Sequence, residues 1–238
     1  VTKVKLTTDY IDYYDIWLES RHCTNYDFEF KRIAGNSPET SYPHKSDQFR
    51  ILRDVLGETV VPHGTMATLY AKYPMRSQVV YTEEWRHAAQ GKELYTPQQV
   101  RDIVSPTRPG GQWDGSSHPR NQLASMFINT GPVATSYKYV QIGKHAFMLK
   151  IINPENWMTN ASGAEVEIID NYVSRVPHYS YLPVFAIDYI EDSATGVKLA
   201  CDLNHAPGLR NLGIKDILPP RRAAEAIVEW YENFNDVR

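Results

Sequence analysis

The clearest pattern along the chain lies in its second half, where bulky apolar residues alternate with polar ones in short runs. "PVATSYKYVQIGKHAFMLKII" (132–152) predicts two extended segments divided by Gly143, and "AEVEIIDNYVSRV" (164–176) a further strand. "VFAIDYI" (184–190) and "GVKLACDLN" (196–204) predict two strands joined by the polar loop "EDSAT". The tail "PRRAAEAIVEWYENF" (220–234) changes to helical spacing: Pro220 suits a first turn, and Ala223, Ile227, Trp230 and Tyr231 share a face.

The first half alternates less. "KSDQFRILRDVLG" (45–57) places Phe49, Leu52 and Leu56 on one helical face, with Asp47 near the start and Gly57 as a stop. "TVVPHG" (59–64) predicts a short strand entering a turn, and "SQVVYTEEW" (77–85) a second strand. "HAAQGKELYT" (87–96) is expected to be a turn-rich loop. "TPQQVRDIV" (96–104) is expected to be a helix capped by Thr96 with Pro97 at its first position. Residues 105–121 form a long Gly- and Pro-punctuated loop, a length usually mobile or functional. Near the start, "YDIWLES" (14–20) suggests a helical turn and "YDFEFKRI" (26–33) alternates like a strand. Segregated strands and helices make the class α+β, with a C-terminal antiparallel sheet and a closing helix.

Composition narrows the function classes. The chain has 238 residues, 42% hydrophobic and 22% charged, which allows a sizeable core. A formal net charge of -3, with no basic stripe alternating with aromatics, gives no pull towards nucleic acid. Cys23 and Cys201 stand outside any C-x-x-C pair, which fits a reducing, cytoplasmic setting, with a single disulfide as the alternative. Charges come too early for a signal-peptide core, and no apolar run approaches a membrane span, so no membrane partner is expected.

The chemistry concentrates on the hairpin. Asp202 and Asn204, two apart, face the same way, and Asp188 can approach them from the neighbouring strand. Converging oxygen ligands of this kind suit Mg²⁺, although a strand-edge acid and a hairpin charge account for the same residues. Gly91 and Lys92 could lie over phosphates or simply occupy a solvated turn. Lys150 interrupts an apolar strand, so it either meets an anion or snorkels out of the edge. His205 could touch a substrate or cap the Pro207-Gly208 turn. Arg108 and Arg120 flank the 105–121 loop, which could close on an anionic substrate. No nucleophile motif and no zinc spacing is present.

The order of these pieces resembles the ATP-grasp superfamily, and within it the small carboxylate–amine ligases that act on amino acids and peptides. That family carries an acid on one strand, a hairpin, then "E-x-N-x-x-P-G"; "FAIDYIEDSATGVKLACDLNHAPGL" matches it with Asp188, Asp202, Asn204 and Pro207-Gly208. "HKSDQFRILRDVLGETVVPHG" resembles the family's opening helix, "VVYTEEWRHAAQGKELY" its phosphate-covering loop, and "SYKYVQIGKHAFMLKII" its hinge and following strand. The resemblance covers about residues 43 to 214.

It implies two α+β lobes with a nucleotide cleft between them, at 43–130 and 131–238, preceded by a shortened substrate region at 1–42. It implies ATP and Mg²⁺ as cofactors, with Asp188, Asp202 and Asn204 as metal ligands. Lys92, Gly91 and Lys150 would hold phosphates. Lys138, Tyr139 and Val140 would form the hinge around adenine. Lys150, Arg120 and His205 would be the catalytic set. The implied reaction joins a carboxylate to an amine through an acyl phosphate, releasing ADP and phosphate. Its partners would be a small-molecule or peptide carboxylate and an amine, with a protein substrate, a partner subunit or a second copy completing the acceptor site. The chain departs from the pattern in having Asp202 for Glu, no basic residue in "VVYTEE", few glycines in "HAAQGKE", and only Lys150 as a base near Met148. Those departures also suit a catalytically weakened nucleotide-binding or protein-interaction module with the same fold.

Overall fold

The computed structural model describes residues 3–6, 16–19, 44–82, 91–105, 119–159, 161–173, 184–204, 207, 212–219, 222–223, 225–227 and 229–230. The first described elements are two short strands, β1 (Lys3–Leu6) and β2 (Ile16–Glu19), paired antiparallel with Val4 opposite Leu18. Of the helical turn expected over 14–20, the described residues 16–19 are a strand. Ile16 and Trp17 favour extended backbone, and the segment finds a partner strand that its own sequence does not announce. The strand expected at 26–33 lies outside the described residues.

Helix α1 (Lys45–Arg50) continues through a π-helical turn at Ile51–Val55 and stops at Gly57, whose φ is +67°. Its apolar face buries Phe49 and Leu52 completely. A short strand, β3 (His63–Thr65), leads into α2 (Met66–Lys72). The Thr65 hydroxyl caps that helix by accepting the Thr68 N–H. β4 (Gln78–Tyr81) pairs with β5 (Lys92–Tyr95), so much of the loop expected over 87–96 is a strand. Helix α3 (Pro97–Val104) has the predicted start. Thr96 and Gln99 form a reciprocal capping box, with Pro97 in the first turn. After a 3₁₀ turn at Pro119–Asn121, β6 (Leu123–Met126) completes a four-stranded sheet of order β3-β6-β4-β5.

Residues 127–133 cross to a second, larger sheet. Its strands are β7 (Ala134–Ile142), β8 (His145–Asn153), β9 (Glu165–Val173), β10 (Val184–Glu191) and β11 (Lys198–Asn204). They lie in the order β11-β10-β7-β8-β9, all antiparallel. The strands read from alternation are all present, and Gly143 makes the β7–β8 turn at φ +55°.

A short helix, α4 (Ile214–Ile217), follows, and the described residues of 222–230 are helical. Ala223, Ile227 and Trp230 of that tail are buried as the spacing predicts, with Ala226 beside them. The tail packs closely on the β7–β8 turn: a Cβ on Gly143 would stand 2.4 Å from the Ala226 carbonyl oxygen.

The two sheets are tied together at several points. The segment before β3 docks on the outer edge of β11, with Val61 N–H donating to the Ala200 carbonyl and Ala200 N–H to that of Thr59. Ser193, in the β10–β11 loop, donates through N–H and hydroxyl to the Asn129 carbonyl in the crossing segment. One main core joins Phe49, Leu52, Val61 and Tyr81 to Val140, Phe147, Phe185 and Leu203. No helix among the described residues is long and apolar enough to cross a membrane.

Candidate active site

The larger sheet places three charged residues in one row. Lys138 on β7 is the register partner of Asp188 on β10, and Asp188 is the register partner of Asp202 on β11. Register partners face the same way, so all three side chains stand on one face of the sheet. Lys138 Nζ lies 2.7 Å from Asp188 Oδ1, with both side chains largely buried. That oxygen is fully buried, and the Lys138 ammonium balances its charge.

Asp202 is held from the other side. Lys45, at the start of α1, ion-pairs with Asp202 Oδ1 and donates to Gln48 Oε1 at 3.2 Å. Its ammonium also lies 5.1 Å and 5.5 Å from the centroids of the Phe49 and Tyr81 rings. Gln48 in turn accepts the Leu203 N–H, so α1 is fastened to β11 at two neighbouring residues.

Lys138, Asp188 and Asp202 border a cavity of about 420 Å³ between the sheets, within the range of small-ligand sites. One end is charged, lined by Lys92, Lys138, Asp188 and Asp202. The other is lined by the crossing segment 127–133 and by residues 153–159 of the loop after β8. There the Phe127 and Trp157 rings meet edge to face at 6.1 Å. Asn153 organises that loop: its amide donates to the carbonyls of Met158, Ala161 and Ser162, and its oxygen accepts the N–H groups of Glu155 and Asn156.

Electrostatics at the charged end follow from this packing. Burial works to raise the Asp202 pKa, but Lys45 beside it, with Lys92 and Lys138 beyond, holds it well below the usual carboxylate range. Burial likewise works against the Lys138 ammonium, and Asp188 more than offsets it, so Lys138 stays charged with its pKa raised. Burial pushes Tyr81 up; its hydroxyl shares a 3.1 Å hydrogen bond with Ser125. Lys92 has no hydrogen bond or ion pair among the described residues. At this end Lys45 and Lys138 balance Asp202 and Asp188, and the Lys92 charge is left without a carboxylate partner; Glu155 lines the other end.

The sequence-derived candidates divide accordingly. Lys92, Lys138, Asp188 and Asp202 come together. Gly91, at φ +67°, accepts the Thr82 N–H at the base of the β4–β5 hairpin and sets the position of Lys92. Asn204 follows Asp202 on the same side of β11, opposite Ala186, but does not line the cavity. Lys150 is a correction: it pairs with Tyr137 and Glu167, on the sheet face opposite the one that carries Lys138. Flanking apolar residues on both sides of it give no signal of facing.

Arg120 is also displaced, exposed in the 3₁₀ turn before β6, five residues ahead of Ser125. Of the residues expected in the hinge, Lys138 lines the cavity and the other two do not. Tyr139 and Val140 lie within β7: Tyr139 donates to Gln141 Oε1 on the opposite face, and Val140 is fully buried in the core. The segment that joins the two sheets and lines the cavity is 127–133. His205, the 83–90 part of the covering loop and 106–118 of the long loop lie outside the described residues.

Two residues carry no signal of their place in the sequence. A lysine opening a helix opposes the helix dipole, and Lys45 does so because its partner, Asp202, is tertiary. Cys201, by strand alternation, should fill the core behind Asp202. A bulge between Asp188 and Tyr189 makes it the extra residue of β11, and it lines the cavity. Burial, with Asp188 adding to it, pushes its thiol up to about 12.

For a divalent cation the donor set is suitable. Asp188 and Asp202 are adjacent, Asn204 offers an amide nearby, and Asp188 Oδ1 lacks a hydrogen bond. Among the described residues no group of three or more His, Cys, Asp and Glu assembles. Mg²⁺ takes one or two carboxylates and completes its shell with waters and phosphate oxygens, so the adjacent Asp188 and Asp202 fit it.

Comparison with known proteins places this architecture. No protein-family model matches the chain, and no curated protein sequence matches it. Solved structures do. The carboxyaminoimidazole ribonucleotide synthase of Aspergillus clavatus, complexed with ATP, matches with a TM-score of 0.51 at 13% identity, over 87% of this chain and 58% of its own. A macrocyclase of Microcystis aeruginosa MRC, bound with a precursor peptide, matches at 0.48 and 13% identity, over 78% of this chain and 59% of its own. A Chryseobacterium gregarium ATP-grasp ligase, in complex with ADP and leader and core peptides, matches at 0.48 and 11% identity, over 78% and 58%. The chain thus spans just under three fifths of the length of each. The likeness is one of fold: the chain has the ATP-grasp fold.

Proposed function

We propose that the chain is the nucleotide-binding core of an ATP-dependent ligase that joins a carboxylate to an amine. The observation that carries the reading is the polarity of the cavity. An aromatic, backbone-rich end at Phe127, Asn129 and Trp157 suits a base, and the ammonium groups of Lys92 and Lys138 at the other end suit a polyphosphate. In this reading Lys92 and Lys138 bind phosphate oxygens. Asp188 and Asp202, with Asn204, would hold Mg²⁺, which supplies charge neutralisation of the phosphates. Lys45 keeps Asp202 ionised and aimed at the cavity.

The substrate carboxylate oxygen attacks the γ-phosphorus and ADP departs, leaving an acyl phosphate. The amine nitrogen then attacks the acyl carbon, phosphate departs, and the nitrogen's proton passes to solvent or phosphate. No side-chain nucleophile takes part, so the protein's work is to position the reactants, exclude water and stabilise charge. ADP release from Mg²⁺-ATP, measured across panels of carboxylates paired with amines, tests the reading. Turnover abolished by Asp188→Asn supports it, and turnover indifferent to that change overturns the site.

One observation favours a second reading, a nucleotide-binding module with weakened catalysis. Both carboxylates are already paired with lysines, and neither Lys150 nor Arg120 reaches the cavity. ATP binding without ADP release on any panel would select it.

A further inference from the structure

The two carboxylates are neutralised in different ways. Lys45 is a fixture: it is almost fully buried, is held by Gln48 and two aromatic rings as well as by Asp202, and does not line the cavity. Lys138 lines the cavity, and Asp188 is its ion-pair partner among the described residues. Its ammonium stands against Asp188 Oδ1, a fully buried carboxylate oxygen, at 2.7 Å.

From this contrast we infer that Lys138 is a resident cation occupying the divalent-cation position at Asp188, so that metal enters only when an anion draws the lysine away. An ammonium 2.7 Å from a carboxylate oxygen fills the space that a metal about 2.1 Å from the same oxygen would need. Two cations on that one oxygen would repel each other across a few ångströms. A polyphosphate gives the ammonium an alternative partner within the same cavity, and Asp188 is then exposed to the metal. Lys138 is thereby a positioning residue for the metal as well as a phosphate ligand. The inference rests on the ligase reading only for the identity of that anion.

The test uses the nucleotide-free chain and Mn²⁺ as the probe, with bound and free ion separated by electron paramagnetic resonance. Lys138→Met should bind Mn²⁺ at least about tenfold more tightly than the wild type, because a full opposing charge is removed. Lys138→Arg should stay as weak as the wild type. Lys138→Met combined with Asp188→Asn should lose the gain, which locates it. Thermal midpoints check folding, and Lys138→Gln, which keeps a donor for Asp188, is the alternative variant should the methionine fail to fold. Equal Mn²⁺ affinity in the wild type and in the folded neutral variant overturns the inference, as does a gain that survives Asp188→Asn. A wild type that binds no ATP overturns the ligase reading instead and leaves the Mn²⁺ comparison standing.

Discussion

The five-stranded and four-stranded sheets face each other across one cavity but are built differently. The larger has strands of seven to nine residues and carries Lys138, Asp188, Cys201 and Asp202 on its strands β7, β10 and β11. The smaller has strands of three or four residues and contributes Lys92, Tyr81 and Ser125. Charges on the larger sheet are paired and packed, so in the proposed reading they would hold the fold as well as a ligand. The Lys92 side chain is unpaired among the described residues, so in that reading it would serve the ligand alone. The comparison teaches that site residues on the two sheets should fail differently when removed.

The largest difference should come at Asp202. Asp202→Ala strands the buried Lys45 ammonium, which costs about 3 kcal/mol or more of stability. It also lowers ADP release at least about 100-fold, as loss of a preorganised charge at a reacting centre does. Denaturant unfolding and turnover measured on the same preparation check both. A variant as stable as the wild type would mean that α1 is fastened to β11 by something other than this pair.

Gly143→Ala probes the larger sheet away from the chemistry. The new methyl group would meet the Ala226 backbone in a left-handed conformation, so about 2–3 kcal/mol should be lost. Chemical denaturation reads this directly. The residual folded protein should bind nucleotide normally, because the β7–β8 turn lies at the far end of β7 from the crossing segment.

On the smaller sheet, Lys92→Met should weaken ATP binding about tenfold, the value of one charge-assisted hydrogen bond, and leave stability within about 0.5 kcal/mol. Calorimetric titration and a thermal melt check the two halves. A melt that falls together with affinity would erase the contrast between the sheets.

Legibility in the sequence follows the same division. Long alternating strands make the larger sheet readable, and the short "EDSAT" loop is enough to set Asp188 against Asp202. The strand order is not readable: β10 lies beside β7, so Lys138 meets Asp188 across 50 residues of sequence, and the residue expected in a hinge is an ion-pair partner. In the smaller sheet, β6 reads only "LASM", too short and weakly patterned to stand out. Helix α2 escapes the periodicity although Thr65 gives it an N-cap signal. The roles of Lys45 and Cys201 come from a docking contact and a bulge, and neither leaves a periodic trace.

Acid should separate the paired carboxylate from ordinary ones. The folded pKa of Asp202 is depressed, so its stabilising contribution is fully present above the unfolded value of about 3.9 and is lost as pH falls through the folded one. Thermal midpoints of the wild type should therefore fall as pH drops from about 5 to 3, and more steeply than those of Asp202→Asn, which has nothing there to protonate. Parallel slopes would show that the lysines do not hold the carboxylate.

The smallest expected effect is on Cys201. Its thiol borders the cavity, so position alone suggests easy alkylation, but burial pushes the pKa up to about 12, with Asp188 adding to the rise. At pH 8 only about one thiol in ten thousand is then ionised, against roughly a quarter for a free cysteine. Iodoacetamide should therefore label Cys201 some thousandfold more slowly than a model thiol, with peptide mapping to separate it from Cys23. Asp188→Asn removes the smaller contribution and keeps the burial, so labelling should quicken by less than about tenfold. A larger increase would mean that the charge on Asp188, rather than the packing of the larger sheet, governs this end of the cavity. The row of paired charges would then be looser than its register implies.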